Sequence, residues 1–162
     1  MVVQNFTGPA VPDSCEQGIT PACLQTLYGI PATLATESSN SLGVSGFNNE
    51  FAQEADLYNF LVEFRPDLSP STTFSLQSID GGENLQGPGN NGSEANFDIQ
   101  YTVGVASGVP TTFISVGEEK QDDLDQYLDM VHFLLDESNP PHVLTTSYGF
   151  PDETLISTKL AQ

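Results

Sequence analysis

The sequence predicts an α/β fold in one domain: a parallel sheet whose strands are joined by crossover helices. Two observations predict it. Short runs of strand character alternate with segments of helical apolar spacing, the order that parallel crossovers require. The 162 residues also fit a single domain able to bury a real core. Residues 1–35 are rich in Pro, Thr and Gly and read as an irregular arm, with βα repeats filling 36–162. Ser41 to Phe47 reads as a strand. Glu50 to Phe64 repeats Phe51, Ala55, Leu57, Leu61 and Phe64 near helical spacing until Pro66 ends it. Thr72 to Ile79 alternates apolar with polar residues as a strand does, and the Gly-Gly, Pro-Gly and Asn-Asn-Gly cluster after it marks a loop. Thr111 to Gly117 is a further strand. Leu124, Leu128, Val131 and Leu135 form one stripe of a helix that Pro140 and Pro141 stop. His142 to Gly149 reads as a buried strand, and the last dozen residues as the opening of a helix.

Charge narrows the function. Three Lys plus Arg against 22 Asp plus Glu leave a net charge of −19, which repels phosphate backbones and anionic membrane surfaces. Nucleic acid and membranes are therefore excluded as partners. So few cations leave most carboxylates without a basic neighbour, and self-repulsion relaxes as acids protonate, so an acidic medium suits the chain. Cys15 and Cys23 have no His beside them. A metal site is poorly supported there, and a short disulfide loop in a secreted protein is the expectation. The sequons at Asn5 and Asn91 agree with an extracellular, glycosylated product. No apolar run approaches the roughly 20 residues of a membrane span, and the first residues lack the pattern of a signal peptide, as in a mature product.

The stretch from Asn91 to Gly108 carries the sharpest ambiguity. Ala95, Phe97, Ile99, Tyr101, Val103 and Val105 alternate strictly with other residues, which alone predicts a strand. A helix is the rival: Ser93 stands where an N-cap would, and Phe97, Tyr101 and Val105 make a stripe, against a cost of about 1 kcal/mol for Gly104. The choice decides the chemistry of Glu94 and Asp98. Four residues apart on a helix, their Cβ atoms are about 5–6 Å apart, whereas on a strand they are roughly 13 Å apart.

The words of this stretch, "EANFDIQYTVGVASG", resemble the Glu-x-x-x-Asp helix of the sedolisins, the serine-carboxyl peptidases that include tripeptidyl peptidases. "ITPACLQTLYGIP", "ADLYNFLVEFRPDL" and "PPHVLTTSYGFPDET" resemble other segments of that family's catalytic domain, in its order and at about its spacing. The resemblance implies a subtilisin-like half-domain. It implies that Glu94 is the general base of a Ser-Glu-Asp triad and Asp98 the carboxyl group that orients it. It further implies that Ser147, Tyr148 and Gly149 form the edge that holds a peptide substrate by backbone hydrogen bonds. The family's nucleophile lies in a Gly-Thr-Ser motif and an oxyanion Asp in a Ser-Gly-Asp motif. Neither occurs in these 162 residues. The family's calcium site is also missing, so no metal and no cofactor is expected in this chain. The chain reads as the N-terminal half of a mature catalytic domain, with the C-terminal half as a second chain, or a second copy of itself, as partner. By itself it is expected to be inactive, because a base without its nucleophile loses several orders of magnitude in rate. The alternative is a non-catalytic secreted protein that acts in binding or self-association.

Spacing alone would single out nothing. Glu50 and Glu54, Glu118 and Asp122, Glu119 and Asp123, and Asp125 and Asp129 are also four apart, and charge runs are usually solvated faces. His132 and His142 have no second ligand near them and read as surface or packing residues. No Gly-x-Ser-x-Gly elbow surrounds Ser147, which argues against a nucleophile there.

Overall fold

The computed structural model describes residues 13–90, 92–117 and 123–149. Four parallel strands form one sheet: β1 (Leu42–Gly46), β2 (Ser75–Ile79), β3 (Thr111–Val116) and β4 (Val143–Thr145), in the order β2-β3-β1-β4. Val44 lies opposite Phe113 on β3 and Thr145 on β4. Helix α1 (Pro21–Tyr28) precedes the sheet, and α2 (Glu54–Phe64), α3 (Ser93–Val105) and α4 (Asp123–Asp136) connect its strands. The predicted α/β class with a parallel sheet is observed.

Two cores flank the sheet. On one face Val44 and Phe113 pack beneath Leu57, Phe60 and Leu61 of α2 and Ala95, Ile99 and Val103 of α3. On the other, Ile79, Ile114 and Val116 pack with Phe47 and Met130 of α4. This arrangement has a topological consequence. Travel from β1 to β2 and from β2 to β3 runs in opposite directions across the sheet, yet α2 and α3 lie on the same face. The β2–α3–β3 connection therefore has the opposite hand to the other two. Since crossovers are right-handed in about 98% of cases, the helix bearing Glu94 and Asp98 is the one held in the exceptional connection.

Several elements depart from the sequence reading. The arm is not wholly irregular. Thr20 accepts a hydrogen bond from Cys23 N, Pro21 opens α1, and Gly29 closes it in the left-handed region, a start and stop written in Thr-Pro and Gly. Cys15 and Cys23 form the expected disulfide, which closes a short loop and contributes about 2–3 kcal/mol. That loop is tied to α3 where Tyr101 donates to the Ile19 carbonyl at 2.6 Å, and α1 is tied to it where Gln25 Nε2 donates to the Val105 carbonyl at 3.2 Å. Helix α2 begins at Glu54 rather than Glu50, because Asn48 and Asn49, both at positive φ, turn the chain just after β1. In α4 the expected stripe faces outward at Val131 (44% exposed) and Leu135 (75% exposed). The packed face is instead Tyr127, Met130, Phe133 and Leu134, with Tyr127 stacked on Phe47 at 4.5 Å. Both sets have helical spacing, and only the sheet chooses between them. The strand expected over His142 to Gly149 is also not buried. It shortens to three residues at the sheet edge, with Val143 56% exposed. Asn5, Asn91, residues 118–122 and the expected C-terminal helix lie outside the described residues.

Candidate active site

The stretch from Ser93 to Val105 is a helix, so Glu94 and Asp98 share one face. Its N-cap is Gly92, which has no side chain with which to cap, and Ser93 is the first helical residue. The free N–H groups are bonded from elsewhere. Glu50, in the turn after β1, accepts from Glu94 N at 2.9 Å and Ala95 N at 3.0 Å with one oxygen, Oε2. A carboxylate there also meets the positive end of the helix dipole. Tyr148 donates to the same oxygen at 3.3 Å. The linkage is reciprocal: Asn96 of α3 accepts from Gln53 N at 2.7 Å and donates to Asp56 of α2 at 2.9 Å.

This docking leaves no room at Gly92, where an added Cβ would lie 2.3 Å from the Glu50 Cβ. Gly92→Ala should cost about 1–3 kcal/mol in urea unfolding, because Glu50 must leave the helix end. A variant as stable as the wild type would show that the Glu50 contact contributes nothing.

Asp98 is 7% exposed. Its Oδ1 accepts from Ser147 Oγ at 3.0 Å, while its Oδ2 is buried without a hydrogen-bond partner. Burial raises the Asp98 carboxyl above the usual range, the Ser147 bond opposes that rise, and the Glu50 charge adds to it. Burial likewise raises Glu94, reinforced by the charges of Asp98 and Glu50. Tyr148 is raised far above the ordinary phenol range by burial and by Glu50, which keeps it a hydrogen-bond donor. No cation relieves this cluster among the described residues. Arg65, the one Lys or Arg there, is bonded to Asp67. Three carboxyl groups thus crowd together at the C-terminal end of the sheet, and two of them, Glu94 and Asp98, hold their protons into weaker acid.

The structure gathers Glu94, Asp98, Ser147 and Tyr148, and Gly149 follows them exposed at the surface. Glu50 is the member that sequence reasoning missed. It appeared only as half of a solvated pair with Glu54, yet it lies just past the C-terminal end of a parallel strand, where ligands gather in α/β sheets. His132 is exposed, and His142 is an exposed partner of Ser41 at 3.2 Å. Among the described residues no three His, Cys, Asp or Glu side chains are arranged to hold a metal ion, and no helix is long and apolar enough to cross a membrane.

No family model matches the chain. Among curated proteins it is 35% identical to a probable tripeptidyl-peptidase SED4 of Trichophyton verrucosum over 158 residues, 89% of this chain and 26% of that protein. It is 35% identical to a probable tripeptidyl-peptidase SED2 of Arthroderma benhamiae over 170 aligned residues, 96% of this chain and 28% of that protein. Identity to the tripeptidyl-peptidase SED3 of Arthroderma otae is 31% over 156 residues, 88% of this chain and 26% of that protein. The chain thus spans about a quarter of the length of the curated relatives it matches. Similarity that runs along almost the whole of this chain, on a parallel α/β sheet, assigns it: the chain belongs to the sedolisin family.

Proposed function

We propose that this chain supplies the base side of the catalytic device of an acid-acting, secreted serine-carboxyl peptidase. Glu94 is the general base, Asp98 orients it and shares its proton, and the serine and oxyanion donor come from residues outside these 162. The observation that carries the reading is the crowded carboxyl cluster on α3, with no cation beside it among the described residues. Such a base works in acid. A Glu with a raised pKa accepts a serine proton at a pH where a His, with a reference pKa of about 6.5, is already protonated. The proton moves from the serine hydroxyl to Glu94 as the oxygen attacks the peptide carbonyl, and then from Glu94 to the leaving amine. Glu50 holds the end of the helix and, with Asp98, keeps negative charge near Glu94, so that the base retains its affinity for the proton.

The substrate is a peptide. The backbone from Ser147 to Gly149, just beyond β4 at the exposed sheet edge, pairs with it as an added strand. The relatives' names extend the proposal to release of tripeptides by the whole protein. Intact-mass analysis of the native protein, with peptide hydrolysis assayed near pH 4, tests the reading. A Gly-Thr-Ser segment, either continuous with this chain or in a second chain, should accompany acid hydrolysis. A lone species of 17.4 kDa with no hydrolysis would overturn it. That outcome would favour binding or self-association through the open β4 edge, where Val143 and Leu144 are exposed.

A further inference from the structure

We infer that the Ser147 hydroxyl is a positioning group that fixes which oxygen of Asp98 holds the proton of the acid pair. The inference rests on the pairing of Glu94 with Asp98 proposed above, but it concerns a side chain to which that proposal gives only backbone work. Ser147 donates its single hydrogen to Asp98 Oδ1 at 3.0 Å. A proton on Oδ1 would meet that hydrogen head-on, so the proton belongs on Oδ2. This second oxygen is buried and has no hydrogen-bond partner, the position at which an uncompensated negative charge is least favourable.

The groups that face Asp98 come from three elements. Glu94 lies one turn earlier on α3, Glu50 reaches in from the turn after β1, and Ser147 and Tyr148 come from the segment after β4. Ser147 is the group among them that donates a hydrogen bond to Asp98, and its neighbour Tyr148 donates to Glu50. Two consecutive residues of the segment that pairs with a peptide thus each hold one acid of the cluster. The side chain that sets the proton and the backbone that holds the substrate belong to one residue.

The test follows the carboxyl carbons of Asp98, Glu94 and Glu50 by carbon-13 NMR through an acid titration of the chain as it stands. Ser147→Ala should move the Asp98 titration to higher pH by about half a unit or more, because a bond favouring the ionised form is lost. Ser147→Thr and Ser147→Val, equal in shape, repeat the comparison with bulk held constant and the amide spectrum reporting the fold. Ser147→Thr should titrate like the wild type and Ser147→Val like Ser147→Ala. A valine variant that titrates as the threonine variant does, whether both shift or neither does, overturns the inference. No peptide is cleaved in this experiment, so the peptidase proposal can fail without it, and it can fail while the peptidase proposal stands.

Discussion

Glu94→Gln should lower kcat for peptide hydrolysis near pH 4 by about 100- to 10,000-fold in the complete peptidase, the usual contribution of a general base. Glutamine keeps the shape and the helix but cannot accept the serine proton. Turnover that survives the substitution would remove Glu94 from the mechanism. The same change carries an opposite effect on the fold. Glu94 and Asp98 both have raised pKa values in the folded chain, so the folded state binds more protons than the unfolded one as these groups titrate. Where that holds, stability falls as pH rises, beginning at the unfolded values and ending above the raised folded ones. Neutral, isosteric replacements escape that loss. Asp98→Asn, which still accepts from Ser147, should therefore melt higher than the wild type at pH 7 and close to it at pH 3. A melting difference that does not change with pH would show that the crowding of carboxylates costs the fold nothing. Activity and stability are set against each other at these two positions.

The helix that holds them was the element least legible in the sequence, and the reason lies in arithmetic. Every second member of a period-2 series is four residues apart, close to a helical turn. Ala95, Ile99 and Val103, half of the alternating set, are the buried face of α3, while Phe97, from the other half, is 56% exposed and lies tilted against Tyr101, ring centroids 4.6 Å apart. Strand and helix therefore share the same apolar letters, and what decides between them is the partner surface of α2 and the sheet. Gly104, which argued against the helix, has its own explanation in the fold. A Cβ there would lie 2.9 Å from Phe60 and 3.0 Å from Pro21, so the glycine lets α1 and α2 close on α3. The strands were easier to read, because β1 and β3 are central, carry buried Val44, Phe113, Ile114 and Val116, and need no tertiary choice. The Glu94 and Asp98 pair was legible through family words and not through spacing. Glu50 was hidden because its role depends on a turn at Asn48 and Asn49 that brings together residues more than 40 positions apart.

Arg65→Met should destabilise the fold by about 2–3 kcal/mol in urea unfolding, chiefly by stranding a buried carbonyl. Arg65 closes α2, is 3% exposed, and donates through Nη1 to the carbonyl oxygen of Gly104 in the last turns of α3. Its other nitrogens form a two-pronged pair with Asp67 at 2.9 and 2.8 Å. The two contacts are unequal. Asp67 is 56% exposed, so water replaces its partner readily, and Asp67→Asn should cost less than about 1 kcal/mol. Gly104 is buried, and neither Met nor water reaches its oxygen in place of the guanidinium. Arg65→Lys should fall between the two, because one ammonium cannot serve the carbonyl and the carboxylate in the geometry of the fork. The Asp67 share carries a pH signature. Its carboxyl is held below the usual range by the hydrogen bond from Arg65, so that share is present above the unfolded value of about 3.8 and is lost as pH falls through the lower folded one. The gap between wild type and Arg65→Met should accordingly narrow slightly at the acid end and otherwise persist. A gap that disappears in acid would mean that the surface pair, and not the Gly104 carbonyl, is what Arg65 holds. The consequence reaches the site, because Arg65 anchors the C-terminal half of the helix whose first turns present Glu94 and Asp98. In a chain of net charge −19, this buried cation is placed where it fixes the helix of the acid pair without neutralising the acids themselves.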